Sequence, residues 1–381
     1  MKLLRRILGV AALLVVAGLV WLAVAVSHDS PCTAAAAPAA GTPLMKAVVG
    51  RCYGSPDVLR VEEVARPAVA DNQLLIRVHA AALNPLDWHL MRGTPYLVRL
   101  MAGFGRPDDV RVGVDFSGTV EAVGRRVSRF KPGDEVFGGK HGAAAEYVSV
   151  AEDGAIALKP ANISFEQAAA VPIAAITALQ ALRDQGKIHA GEKVLINGAS
   201  GGVGTFAVQI AKAYGAEVTG VCSTRNLDMV RAIGADHVID YTREDFTRSG
   251  QRYDLVFDTV GNRALLDYRR VLTPTGIFVG VGGESRDNWI GPMRRWLDAR
   301  MLAPFVSQKL RMFLAELNAP DLTVLAGLMR EGKVTPVIDR RYGLDEAADA
   351  MRYLEKGHAR GKVIISVIPA PGASAQPNDR A

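Results

Sequence analysis

The sequence predicts an α/β protein whose core is a doubly wound parallel sheet, set behind a mainly β segment and one N-terminal hydrophobic helix. Three observations carry this. Strand-like and helix-like runs alternate after Pro172, a glycine-rich turn joins the first of those strands to the first helix, and a long apolar run opens the chain. The chain has 381 residues, 49% hydrophobic and 22% charged, which suits two domains with a sizeable core. Its formal net charge is +6, part of it in Lys2, Arg5 and Arg6, and no later block of like charge stands out. A nucleic-acid partner is therefore not indicated.

Ile7 to Val26 is apolar and uncharged, follows Arg5-Arg6 and ends at Ser27-His28-Asp29. At ~1.5 Å per residue, such a helix matches the ~30 Å hydrocarbon core of a bilayer. Its length favours a membrane anchor over a signal peptide, whose apolar stretch is shorter. Ala23-Val24-Ala25 resembles a cleavage site, so removal of residues 1–26 stays open. Residues 27–44, rich in Ala, Pro, Ser and Thr, read as a tether. Cys32, Cys52 and Cys222 lie far apart with no CxxC spacing, and they argue neither a disulfide framework nor a metal site. Cys32 follows the helix closely, but Asp29-Ser30-Pro31 is a poor context for lipid modification.

From Met45, short β-type runs (Lys46–Val49, Leu74–Val78, Gly118–Val123) are separated by Gly, Pro and Asp. After Pro172 the expected order is strand Lys193–Asn197, helix Gly204–Tyr214, strand Glu217–Val221 and helix Leu227–Ile233. Strands His237–Ile239, Leu255–Asp258 and Gly276–Val281 follow. From about Met301 one or two helices lead to a strand-like run, Lys362–Val367, and residues 369–381 read as a disordered tail.

Strand Val194-Leu195-Ile196 runs into Asn197-Gly198-Ala199-Ser200-Gly201-Gly202-Val203-Gly204, and a helix follows. Against the G-x-G-x-x-G fingerprint, Ala199, Gly201 and Gly204 take the three small-residue positions, with Ser200, Gly202 and Val203 between them. Such a loop lets a pyrophosphate approach the backbone and meet the helix N-terminus. The pattern reads as a Rossmann dinucleotide site, with a merely structural glycine turn as the alternative. Where NAD enzymes place an acidic residue for the ribose diol, this chain reads Val221-Cys222-Ser223-Thr224-Arg225. Ser223 and Arg225, with the Tyr241 hydroxyl past the next strand, suit a 2′-phosphate, so NADP(H) is expected over NAD(H), the alternative for Arg225 being a solvated loop charge. A soluble nicotinamide cofactor is expected inside the cell, whereas the charges before the helix place the body outside. The two inferences oppose each other.

Further motifs carry a family resemblance: Tyr53-Gly54-Ser55-Pro56-Asp57-Val58-Leu59, Asn84-Pro85-Leu86-Asp87, Gly113 to Gly118, Lys131 to Val136, and Val171-Pro172 with Thr177-Ala178-Leu179. In this order, over Met45 to Val367, the chain resembles the medium-chain dehydrogenase/reductase superfamily. Within it, the chain is most similar to the zinc-free quinone oxidoreductase and reticulon-interacting-protein-like branch. The resemblance implies a GroES-like β-rich catalytic domain over 45–170, a Rossmann NADP-binding domain over 171–300, and a return segment of the catalytic domain over 301–368. It places Asn84 and Thr177 by the nicotinamide, and Asp258, Thr259, Val281 and Gly282 along the cofactor groove. Lys362 falls at a family position near the cofactor or is a plain surface lysine. Zinc enzymes of the family carry a Cys where Asn84 stands and a His-Glu pair where Val114-Asp115 stands, so no catalytic zinc is expected.

Asp87 reads as a brace for the Asn84 loop or as a proton donor, and His89 and Tyr96 as candidate general acids or as plain packing or surface residues. The apolar residues between Thr94 and Val112 either wall a lipophilic pocket or pack as a surface helix. The reading is an NADPH-dependent oxidoreductase acting on a small hydrophobic quinone or α,β-unsaturated carbonyl compound. It is expected to be a homodimer by analogy and to reach the membrane through its N-terminal helix. Two alternatives stand beside it: a membrane-tethered interaction protein of the same fold with little turnover, and an alcohol dehydrogenase, which the missing zinc ligands weaken.

Overall fold

The computed structural model describes residues 2–34, 39–282, 288, 289, 291 and 293–368; the expected tail, 369–381, lies outside them. Helix α1 (Lys2–Ser27) is followed by β1 (Leu44–Gly50) and β2 (Leu59–Ala65), an antiparallel pair. Next come β3 (Gln73–Leu83), α2 (Pro85–Arg92), α3 (Arg99–Ala102), β4 (Asp115–Val123), β5 (Glu135–Gly139), β6 (Tyr147–Ala151) and β7 (Ile156–Leu158). Helices α4 (Phe165–Ala169) and α5 (Pro172–Leu179) lead to β8 (Lys193–Asn197), α6 (Gly202–Ala213), β9 (Glu217–Cys222), α7 (Leu227–Ala232), β10 (His237–Asp240) and β11 (Tyr253–Asp258). The chain continues through α8 (Leu265–Val271), β12 (Leu272–Gly280), α9 (Met293–Leu302), β13 (Lys309–Met312) and α10 (Ala319–Arg330). It closes with β14 (Ile338–Gly343), α11 (Ala347–Glu355) and β15 (Lys362–Ser366).

Strands β8 to β13 form one parallel sheet in the order β10-β9-β8-β11-β12-β13. This is the doubly wound order, and the switch point where ligands bind lies between the carboxyl ends of β8 and β11. Val194, Leu195 and Ile196 of β8 are fully buried, as expected of a central strand covered by helices on both faces. The other sheet runs β14-β15-β3-β4-β5-β7 with β6 on β3. It is antiparallel except for the β14–β15 pair, and β15 brings the end of the chain back beside β3.

Two expectations need correction. The Rossmann half does not stop near residue 300: β13 pairs with β12, and Leu322, Leu325, Ala326 and Met329 of α10 pack in the same core as α5 and α6. The return segment begins only at β14. The stretch behind α1 is also no free tether in its first part. Ser30 N donates to Gly105 O (2.9 Å), Asp29 pairs with Arg99 (2.7 Å), and Cys32 is disulfide-bonded to Cys52 with the Cα atoms 4.5 Å apart. Composition suggested a tether because these contacts run through backbone groups and two isolated side chains.

Candidate active site

The loop after β8 is built by glycine where nothing else fits. Gly198 has φ +84°, and a β-carbon at Gly204 would overlap the Gly198 carbonyl oxygen and lie 2.8 Å from Ala199 Cα. Helix α6 is therefore pressed onto the loop, and its first amides, which have no carbonyl partner within the helix, open at the switch point. Gly201, at the helix N-cap, has no neighbour closer than 3.5 Å to its would-be β-carbon. That leaves room for a phosphate. Ala199 is fully buried under the loop.

At the end of β9 a residue that sequence reasoning missed ties the loop to the ribose side. Asn226 is buried and donates to Ser200 Oγ (2.9 Å) and Ser223 Oγ (3.3 Å). Arg225 is exposed and donates to the His358 carbonyl (2.7 Å), which spans from the Rossmann half to the return segment. Tyr241 follows β10, beside β9, with its amide donating to Cys222 O (3.1 Å) and its ring open to solvent. Ser223 and Arg225 follow β9 directly, and Tyr241 follows the neighbouring strand β10.

Asp258 serves differently from the expectation. Its buried carboxylate accepts from Asn197 Nδ2 (2.9 Å), Val260 N (3.0 Å), Gly261 N (3.0 Å) and Arg295 Nη2 (2.9 Å). All four donors hold the protein itself, so Asp258 braces the end of β11 rather than offering a group to a ligand. Thr259 Oγ1 donates to Asn197 O (2.9 Å) and fixes the turn beside Gly198. Val281 N bonds to Asp258 O (3.1 Å), which sets Val281 and the positive-φ Gly282 along the same groove.

Across the cleft, three elements meet in a buried charged group. Lys362 of β15 is 3% exposed; its ammonium donates to Leu83 O (3.1 Å) and Asn84 Oδ1 (2.5 Å) and lies 3.3 Å from Asp115 Oδ2. Asn84 Nδ2 donates to Asp115 (2.9 Å), and Ile173 N donates to the same carboxylate (3.0 Å). Lys362 is therefore no surface lysine. Its stem passes 3.2 Å from where a β-carbon on Gly202 would stand, so it joins the Asn84 loop to the glycine loop. Thr177 lies in α5, and its hydroxyl donates to Ile173 O one turn back (2.7 Å).

Asp87 accepts from Asn84 N (2.7 Å) and so braces that loop, but its Oδ1 is buried with no partner among the described residues. Burial, opposed by the Asn84 amide and reinforced by Asp115, raises its pKa from 3.8 to about 7. The unfolded carboxyl ionises near its ordinary value, whereas the folded one resists ionisation until about pH 7. The group therefore destabilises the fold increasingly as pH rises through that window. Asp87→Asn should unfold later than wild type at pH 8, by on the order of 3 kcal/mol, with the gain vanishing near pH 4. Thermal melts across pH check this, and a gain that does not change with pH would show that Asp87 is ionised throughout.

His89 Nδ1 lies 2.7 Å from Thr94 O, so that nitrogen carries the proton, and burial pushes the imidazole below its usual range. Its Nε2 is then a bare acceptor at neutral pH, which corrects the expectation of a general acid. Tyr96 sits edge-on to Trp289 (5.1 Å between centroids), and its amide donates to Asn288 O (2.6 Å) in the chain that follows β12. Leu100, Met101 and Phe104 are exposed, whereas Pro107, Val110 and Val112 of the same stretch line a pocket with Leu90 and Met91; the buried charged member is Arg99.

Residues 70–160 match the alcohol dehydrogenase GroES-like domain family, and residues 233–365 match the zinc-binding dehydrogenase family. The chain is 35% identical over 340 residues to 2-methylene-furan-3-one reductase of Solanum lycopersicum, covering 85% of this chain and 80% of that protein. It is 33% identical over 367 residues to the mitochondrial NAD(P)H oxidoreductase RTN4IP1 of Bos taurus, covering 83% and 87%. The quinone oxidoreductase structure from Coxiella burnetii superposes with a TM-score of 0.75 at 34% identity, covering 86% of this chain and all of that one. With a doubly wound sheet, a β-rich partner half and relatives of this identity over most of its length, the chain belongs to the medium-chain dehydrogenase/reductase superfamily. It is an oxidoreductase of the quinone-oxidoreductase-like kind.

Proposed function

We propose that the chain is a zinc-independent, NADPH-dependent reductase of quinones or α,β-unsaturated carbonyl compounds, attached to a membrane and homodimeric. One observation carries the reading: Lys362 links the glycine loop of the cofactor site to the Asn84–Asp115 pair across the cleft. Where zinc relatives carry metal ligands, Asn84 and Asp115 share a buried ammonium, and a fixed positive charge there does not fit a cation. When bound, NADPH supplies a hydride to an electron-poor carbon. The protein holds it by the α6 amides and Arg225, orients its ring by the Asn84 loop, and excludes water between the two halves. Tyr96 is the proton donor in this reading, since the neutral His89 has no proton on its free nitrogen.

The relatives' printed activities, reduction of a methylene-furanone and of quinones, support the substrate class. An outer strand, β13, with one neighbour among the described residues supports pairing with a second copy. Lys2, Arg5 and Arg6 in the first turns of α1, ahead of its apolar run, and the Cys32–Cys52 bridge behind it support a body on the oxidising face of the membrane, against the expectation set by a soluble cofactor.

The test is titration of the full-length protein with NADPH and NADH, followed by turnover of a quinone and enone panel. NADPH should bind more tightly and support turnover; binding without turnover on any acceptor sinks the reductase reading. Arg225→Gln should weaken NADPH by about 10–100-fold and leave NADH unchanged, the value of a charge-assisted phosphate contact. Equal weakening of both nucleotides would mean that Arg225 only braces His358.

A further inference from the structure

We infer that Leu100, Met101 and Phe104 form a membrane-facing surface that holds the mouth of the cleft against the bilayer. This rests on α1 crossing that bilayer and extends the proposed reduction of a lipophilic acceptor. The occupant follows from α1 itself. Its apolar flanks, including Leu13, Leu14, Leu19 and Trp21, are uncovered by the rest of the described protein, and its length and composition suit a bilayer.

Where α1 ends, the body begins with no slack. Val26 is buried, and Arg99 donates to Val26 O (3.0 Å) and His28 O (3.2 Å), two carbonyls at the C-terminal end of the helix. The same guanidinium pairs with Asp29 (2.7 Å) and Gly93 O (2.7 Å) and lies over the rings of Tyr53 and Tyr96, 4.3 and 4.8 Å from their centroids. An arginine at a helix C-terminus complements the dipole and the unpaired carbonyls there. The Ser30–Gly105 bond and the Cys32–Cys52 bridge fix the next few residues.

The body therefore has one posture at the point where the helix leaves the lipid. Residues that flank this junction lie at the lipid–water boundary. On that stretch, Met101 is 93% exposed and Phe104 55% exposed, with Leu100 beside them. Arg99 and Gly103 take the inward positions, so the segment is amphipathic, with its apolar side toward the membrane. Tyr96, which shares the Arg99 guanidinium, lies within one side chain of this surface and also touches the chain after β12. A lipid-soluble acceptor thus has a short route from bilayer to cleft.

The test uses the full-length protein in phosphatidylcholine–phosphatidylglycerol vesicles. An environment-sensitive fluorophore is placed at Met101→Cys, at Phe104→Cys and, as a control on α8 in the Rossmann half, at Leu266→Cys. Cys32 and Cys52 are bridged and Cys222 is buried, so labelling is selective. Spin-labelled lipids should quench positions 101 and 104 several-fold more than 266. Equal quenching at all three overturns the surface. So does a blue shift at 101 and 104 that grows with protein concentration and owes nothing to lipid, because a second copy then covers them.

The variant Leu100→Ser/Met101→Ser/Phe104→Ser should lose about tenfold in kcat/KM toward a long-chain quinone in the vesicles. It should keep its rate with a water-soluble benzoquinone. An unchanged long-chain rate overturns the entry route. If wild type turns over neither acceptor, the reductase reading fails, while the quenching result still decides the surface.

Discussion

Lys362→Met should cost the fold about 3–5 kcal/mol, the loss expected when one partner is removed from a buried ion pair. The ammonium is enclosed, and it is the positive charge nearest an Asp115 carboxylate with no solvent exposure. Burial already drives the Asp115 pKa upward, and Lys362 is the first of the groups that oppose this. With methionine in place, Asp115 retains donors from Asn84 and Ile173 but no counter-charge, so its ionised form becomes more costly. The penalty should deepen as pH rises, because a carboxyl whose folded pKa is raised is destabilised once the unfolded chain ionises.

The double variant Lys362→Met/Asp115→Asn removes both charges and should recover part of the loss. Equilibrium denaturation of the two variants measures the coupling. A single-variant cost below about 1 kcal/mol would place Asp115 in its neutral form in wild type. Activity adds a second readout: Asn84 loses the donor to its Oδ1, so kcat should fall more than NADPH affinity, since the loop orients rather than binds.

This group was only partly legible beforehand. The sequence points to Asn84 and Lys362 separately, and to Asp115 only within the Gly113–Gly118 motif and at the place of an absent metal ligand. Their meeting depends on β15 returning beside β3 after the whole Rossmann half, a juxtaposition that no local pattern records. The glycine loop could be read because its constraints are local: a buried strand, a positive-φ turn and a helix pressed onto it. Strand β8 was placed to the residue for the same reason, since a parallel strand covered on both faces reads as an uninterrupted apolar run.

Edge strand β13 escaped notice because Lys-Leu-Arg-Met is half polar, and the expected domain boundary fell short with it. The disulfide was illegible for a different reason. Cys32 and Cys52 meet because Arg99 draws the end of α1 onto the body, and three scattered cysteines carry no trace of that.

Two glycines of the loop separate a cofactor site from a merely structural turn. Gly204→Ala places its β-carbon into backbone of Gly198 and Ala199, where nothing flexible can yield. α6 must lift away from β8, and the variant should lose several kcal/mol of stability together with nucleotide binding. That outcome follows on either reading of the loop. Gly201→Ala is the discriminating change. Its backbone is in an extended conformation open to any residue, and its β-carbon meets the protein at no less than ordinary contact distance. Stability should therefore change by less than about 1 kcal/mol. The space it fills is the space left in front of the α6 amides, where a pyrophosphate needs close backbone approach. NADPH affinity should fall by about 100-fold or more, equal to ~2.7 kcal/mol. Calorimetric titration beside a thermal melt gives both numbers on one sample. A Gly201→Ala protein that melts like wild type and still binds NADPH at wild-type strength would leave the loop as packing, and the cofactor would have to bind elsewhere.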